Sequence, residues 1–178
     1  IRADRLEGCL DEFYNTGAAE FEEVESVADR FTNMADFNVV GRVDLDAGEL
    51  TNTGKIESEH GVINAGRLNQ ITHQLGSKET RGRVATIRYR DSGVTRARGN
   101  MTMVGGVIES RNRNEVYVGG DANFEALTLA DVRGDQDYRI TNIGSRVSSD
   151  SADNVVQIAG DLTSTATKFR AGQSNRVS

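Results

Sequence analysis

The chain contains no proline, no tryptophan and a single cysteine, Cys9. One cysteine excludes an internal disulfide. That suits the cytosol, and equally a large bacterial surface protein that crosses the periplasm without disulfides. The lack of proline excludes Pro-rich linkers and fits a backbone whose N–H groups are engaged in strand ladders. Hydrophobic residues make up only 37% of 178 positions, thin for a globular enzyme of that length. No apolar run approaches the roughly 20 residues that span a bilayer. The first residues, Ile1-Arg2-Ala3-Asp4, contain neither a Met nor a signal peptide, so the expectation is a piece of something longer. A net charge of −6 predicts solubility and gives no reason to expect nucleic acid as a partner.

What the chain does have is repetition. Phe13-Tyr14-Asn15-Thr16-Gly17, Phe31-Thr32-Asn33-Met34-Ala35 and Leu50-Thr51-Asn52-Thr53-Gly54 stack by eye, with asparagines 18 and then 19 residues apart. Leu68-Asn69-Gln70 begins a fourth copy with Gln in the Asn column. Six residues after each opening apolar residue comes Ala19, Phe37 or Ile56. A second class runs from Met101. Met101-Thr102-Met103-Val104-Gly105 matches Ile140-Thr141-Asn142-Ile143-Gly144 and Leu162-Thr163-Ser164-Thr165-Ala166. Ile108, Val147 and Phe169 follow, then Asn114 with Val116, Asn154 with Val156 and Asn175 with Val177. One coil, 122–139, is unmatched between the first two copies.

Apolar alternations this short, punctuated by Gly, Asn, Asp and Ser, do not suit helical repeats, which need some 10–12 residues per helix. A period of 19–22 residues is the size of one rung of a parallel β-helix, and about nine rungs would make a rod on the order of 40 Å long at the ~4.8 Å strand spacing. Asn repeated in one column can hydrogen-bond the amide of the next rung, so Asn15, Asn33, Asn52, Asn114, Asn154 and Asn175 are expected to form ladders. A rival reading applies to 18–35. Phe21, Val24, Val27, Ala28, Phe31, Met34 and Ala35 also recur at helical spacing. Between the classes, Arg83–Arg90 alternates, Asp91-Ser92-Gly93 reads as a turn, and Val94–Arg98 follows. That is a hairpin pattern. The expected organisation is therefore 1–70 as first-class rungs, 71–100 as a non-repeat basic hairpin, and 101–178 as second-class rungs.

The pattern apolar-x-Asn-x-Gly-x-Ile…Val-x-Leu-x-Ala-Gly resembles the first repeat class of filamentous haemagglutinin and of related exoproteins of contact-dependent growth inhibition. The stretch Gly-x-x-Ile-x-Ser…Asn-x-Val…Gly-Asp resembles their second class. Ala19 where Ile is usual, the charged first copy and Gln70 for Asn depart from the pattern. The resemblance implies a right-handed parallel β-helix, secretion through an outer-membrane partner, a place at the cell surface, and an adhesive or toxin-delivery filament.

Chemistry is sparse. Asp44 and Asp46 share a strand face, as do Asp135 and Asp137, and Arg42, Arg133 or Arg139 could serve a polysaccharide-cleaving site of the phage-tailspike kind. Acids at i and i+2 are also common on any solvated strand face, and that reading is preferred. His60, His73 and Cys9 form no spacing that points to a metal or a Cys–His pair. No cofactor, metal or catalytic residue is expected. Charge is uneven: residues 11–29 hold seven acids and no base, while 78–98 hold Lys78, Arg81, Arg83, Arg88, Arg90, Arg96 and Arg98 against Glu79 and Asp91. Arg81, Arg83, Arg88, Arg90, Arg96 and Arg98, with Tyr89 among them, are the candidate contact site for an anionic glycan or other cell-surface receptor, bacterial or host. The plainer possibility is a hairpin whose cations keep sheet edges from pairing.

Overall fold

The structure, a computed structural model, describes residues 1–73, 84–133 and 137–178. Nearly all of it is one sheet of seventeen strands that pair in parallel and wrap around an axis as a β-helix. Each rung has three faces. Face 1 stacks β3 (Asp36–Val39), β5 (Lys55–Ser58), β7 (Thr86–Tyr89), β10 (Val107–Ser110), β15 (Arg146–Ser149) and β18 (Lys168–Arg170). Face 2 stacks the middles of β1 (Arg2–Asn15), β2 (Ala19–Asn33), β4 (Arg42–Asn52) and β6 (His60–Ile71), then β8 (Gly93–Ala97), β11 (Asn114–Val118), β16 (Asn154–Ile158) and β19 (Asn175–Val177). Face 3 continues from the ends of those long strands into β9 (Met101–Val104), β12 (Ala122–Glu125) and β17 (Leu162–Ser164). Eight strands lie one above another on face 2.

The alternation in the sequence decides which side chains enter. In β2, Phe21, Val24, Ser26, Ala28, Phe31 and Asn33 are buried while Val27 and Met34 beside it are exposed. The helical spacing across 18–35 is thus a coincidence of residue types. Val27 and Met34 would both have been on its apolar stripe, and in the strand both face out. Register then stacks like on like: Phe31 beneath Leu50 beneath Leu68, Ala28 beneath Ala47 beneath Ala65, and Ile56 beneath Ile87 beneath Ile108. Phe13, Phe21, Phe31 and Phe37 form an aromatic cluster in the first rungs, with Phe13 stacked on Phe31 at 4.8 Å. Leu162, Phe169 and Val177, in the last strands, are covered far less.

Both expected amide ladders form. Asn15 Nδ2 donates to Asn33 Oδ1 at 2.8 Å, Asn33 to Asn52 at 2.8 Å, and Asn52 to Gln70 Oε1 at 3.0 Å. The same amides also donate to the carbonyls of Asp36, Lys55 and Thr86 across the corner. In the second ladder Asn114 donates to Asn154 and Asn154 to Asn175, each at 2.9 Å. Every amide in the middle of a ladder accepts from one rung and donates to the next, so its burial costs little.

The hairpin expectation fails over 84–98. β7 and β8 do not pair with each other; β7 lies parallel between β5 and β10, and β8 between β6 and β11. Alternation shows that a segment is extended, and Asp91-Ser92-Gly93 shows a turn. Neither distinguishes a hairpin from a solenoid corner. The antiparallel excursion is elsewhere: β13 (Leu127–Arg133) pairs with β14 (Asp137–Ile143). This corrects the match of Ile140-Thr141-Asn142 to Met101-Thr102-Met103, because the strand over Met101 is β12, with Ala122 in its place. With β13 and β14 outside the stack, face 2 has eight layers among the described residues in place of about nine.

Candidate functional site

The register that corrects the hairpin also disperses the basic cluster. Arg81 and Arg83 lie outside the described residues. Arg88 stands between Glu57 below and Glu109 above, and its Nε donates to Glu109 Oε1 at 2.6 Å. Glu109 also takes Arg146 from the next rung, so one carboxylate holds two guanidinium groups. Arg90 donates to the backbone carbonyls of Val39 and Val40 at 2.8 and 2.9 Å and pairs with Glu59 at 3.2 Å. It thus clamps the corner fifty residues earlier in the chain. Arg98 pairs with Asp46 at 2.8 Å and donates to Ala47 O. These three arginines are structural cross-braces between rungs.

Tyr89 is not a surface residue. It is fully buried, its hydroxyl donating to Val94 O at 3.0 Å and lying 3.0 Å from Thr95 Oγ1. Burial drives its pKa well above the ordinary tyrosine range, with the Thr95 bond and Arg96 opposing weakly. Its ring occupies the space beside Gly93: a Cβ at 93 would lie 2.0 Å from the ring. Gly93 is the position directly below Asn114 in the stack, so the tyrosine takes the room an asparagine there would need. Asn114 Oδ1, Ser110 Oγ and Ser58 Oγ are buried near this rung without a hydrogen-bond partner.

Of the cluster's described arginines, Arg96 alone remains exposed with no carboxylate partner among the described residues. Its guanidinium lies over the ring of Tyr117, 5.4 Å from the centroid, in the next rung. Tyr117 in turn donates to Glu115 at 2.5 Å, and that bond, with some desolvation, raises its pKa. Sequence reading missed Tyr117, yet the signal was present: Arg96 plus the 21-residue period lands on it.

Of the aspartates, Asp44 pairs with Arg42 at 3.1 Å and Asp46 with Arg98. They point outward beside each other on face 2, each tied to its own arginine. Asp135 lies outside the described residues, and Asp137 opens β14. His60 borders a shallow hollow with Arg42, Ser92 and Arg113, and His73 is exposed. Among the described residues no three His, Cys, Asp or Glu side chains come together as a metal cluster, and no helix is long and apolar enough to cross a membrane.

No protein-family model, curated protein or solved structure matches the chain.

Proposed function

We propose that the chain is a stalk segment of a large secreted bacterial surface filament, an adhesin or a toxin-delivery protein of contact-dependent growth inhibition, and that it is not a catalyst. The observation that carries this reading is how the reactive-looking side chains are used. Arg88, Arg90, Arg98, Asp46 and Glu109 all bridge one rung to another. The buried amides do the same inside. A chain that uses its polar groups to join consecutive rungs is organised for length and stiffness, as repeat architectures are. The resemblance of both repeat classes to haemagglutinin repeats, in the same order, supplies the biological setting. The stalk would hold a distal receptor-binding or toxin part away from the cell, and an outer-membrane partner would export the parent protein.

The test is binding of the labelled chain to bacterial and epithelial cells, beside an assay for sugar release from acidic polysaccharides. Saturable binding adds adhesion to the stalk role; negligible binding leaves reach as its whole contribution. Release of reducing ends or unsaturated sugars, abolished by Asp44→Ala or Asp46→Ala, would overturn the non-catalytic reading.

A further inference from the structure

Face 2 changes character along its length. Near the first rungs its outward positions are Glu7, Glu25 and Asp44 in one column and Cys9, Val27 and Asp46 in the other. Further up, one outward column reads Asn64, Arg96, Tyr117, Gln157, because Asn64 pairs with Arg96, Arg96 with Tyr117 and Tyr117 with Gln157. The column beside it reads Val62, Val94, Glu115, Val155 by the same pairings. Three valines at outward positions of a solvated face are not there for the core, which Ile63, Thr95, Val116 and Val156 already fill. Val62 and Val94 are neighbours and make an apolar floor next to a row of planar polar groups. Glu115, held by Arg113 at 2.6 Å and by the Tyr117 hydroxyl, separates them from Val155.

We infer that this strip is a binding site for an extended, carboxylate-bearing polysaccharide. Four rungs at the ~4.8 Å strand spacing give a row about 14 Å long, the shape of a chain of sugars rather than of one sugar. Amides at both ends of the row offer donors and acceptors to hydroxyl groups, and the valines and Tyr117 offer apolar contact to the C–H faces of the rings. Arg96 selects for charge. Its guanidinium lies over the Tyr117 ring and has no carboxylate partner among the described residues, so its N–H groups are open to a two-pronged bond to a carboxylate. The other described arginines of the sequence cluster are consumed in the fold, so the contact site narrows to Arg96. This inference rests on the adhesive side of the proposed function and gives it a ligand class.

The experiment is calorimetric titration of the full chain with oligogalacturonate, a neutral cello-oligosaccharide and dextran sulfate. The variants are Arg96→Gln, Tyr117→Ala and Asn64→Ala, with Arg30→Gln as a control of equal charge change at an exposed pair with Glu12. Unchanged far-ultraviolet circular dichroism shows that each variant is folded. The expected result is binding of oligogalacturonate that weakens about tenfold in Arg96→Gln, less in the other two strip variants, and not in Arg30→Gln. The inference is overturned by no binding at millimolar oligogalacturonate, by equal affinity for the neutral chain, by preference for dextran sulfate, or by equal losses in Arg30→Gln and Arg96→Gln. Cell binding separates the two proposals. Cell binding that neither oligogalacturonate nor Arg96→Gln affects would remove the strip and keep the adhesive stalk. Oligogalacturonate binding without cell binding would keep the strip and remove adhesion.

Discussion

In the lower rungs the ladder amides sit where face 3 turns into face 1, at Asn15, Asn33, Asn52 and Gln70; in the upper rungs they sit where face 1 turns into face 2, at Asn114, Asn154 and Asn175. The periods differ too, and the register shows where the difference arises. From Val43 to Leu50 is 7 residues, to Ile56 a further 6, and to Gly61 a further 5, a rung of 18. From Gly93 to Met101 is 8, to Ile108 a further 7, and to Asn114 a further 6, a rung of 21. Each corner has gained one residue. The longer rung breaks its strands at every corner, whereas β2, β4 and β6 run unbroken from face 2 into face 3. Two repeat classes are thus one stack with tighter or looser corners, and the amide ladder moves to a different corner as they loosen. Tyr89 and Gly93 sit at the changeover.

That assignment makes Gly93→Ala the most damaging single change. A methyl group 2.0 Å from a buried ring has no room, and overpacking of this kind should cost about 3 kcal/mol in chemical denaturation. The sharper version is the pair Tyr89→Ser with Gly93→Asn. It copies the upper-class residues at these columns, where Ser110 and Asn114 stand, and gives Asn114 Oδ1 a donor. The double variant should be more stable than Gly93→Asn alone by at least about 2 kcal/mol. Additive losses would show that Tyr89 is not what stops the upper ladder.

Next in size is the contrast between the ladders themselves. Asn52→Ala takes the donor from Gln70 Oε1 and the Thr86 carbonyl and leaves Asn33 Nδ2 only its bond to Lys55 O, all in a fully buried corner, and should cost about 2.5 kcal/mol. Asn154→Ala breaks bonds to Asn114, Asn175 and Val147 O. Asn175 is exposed and can turn to water, so the loss should be about 2 kcal/mol. Hydrogen exchange on each variant locates the damage. Protection should fall mainly in β2–β6 for the first and mainly in β11–β19 for the second, as expected of a stack in which each rung touches only its neighbours.

Much of this was legible in the sequence, for a physical reason. A parallel stack repeats each environment at a fixed interval, so the columns Asn15/Asn33/Asn52 and Ile108/Val147/Phe169 could be aligned before any coordinates, and the structure pairs them in that register. What was not legible is which segments leave the stack. Ile140-Thr141-Asn142 has the residue types of a rung yet pairs antiparallel with β13, while 84–98, which looked like an excursion, is in register. The arginine cluster misled for a related reason. Proximity in sequence suggested a basic patch, but a solenoid juxtaposes residues one period apart; at that distance Arg88 meets Glu109, and Arg98 reaches back two rungs to Asp46. Arg96, whose neighbour at that spacing is an aromatic ring, is the one described arginine of the cluster with no carboxylate partner among the described residues.

Tyr89→Phe should cost about 1 kcal/mol, through loss of the bonds to Val94 and Thr95. Its pH dependence is the better readout. In the unfolded chain the phenol ionises near 10, whereas burial holds the folded-state pKa well above that. The phenol therefore contributes stability that is fully present below about pH 10 and is lost as pH rises from there toward the folded-state pKa. Wild-type stability should fall steeply above pH 10, and the fall should be shallower in Tyr89→Phe. Equal slopes would place the alkaline sensitivity at another group, with Tyr117, which is also raised, the next to replace.

The smallest expected effect tests whether the face 1 ion pairs differ in kind from those of the first rungs. Glu109 is mostly covered and holds Arg88 and Arg146 together, whereas both partners of the Arg30–Glu12 pair are more than half exposed. Glu109→Gln should cost about 1 kcal/mol at low salt, since one carboxylate serves two cations in a partly dry site, and Glu12→Gln close to zero. Raising the salt to 1 M shortens the screening length to about 3 Å. It should erase most of the cost of Glu12→Gln, such as it is, and leave a measurable part of that of Glu109→Gln, because the Glu109 carboxylate is mostly covered. If 1 M salt removes both costs, the face 1 column is an ordinary solvated surface, and only the amide ladders and the apolar columns set the stability of the upper rungs.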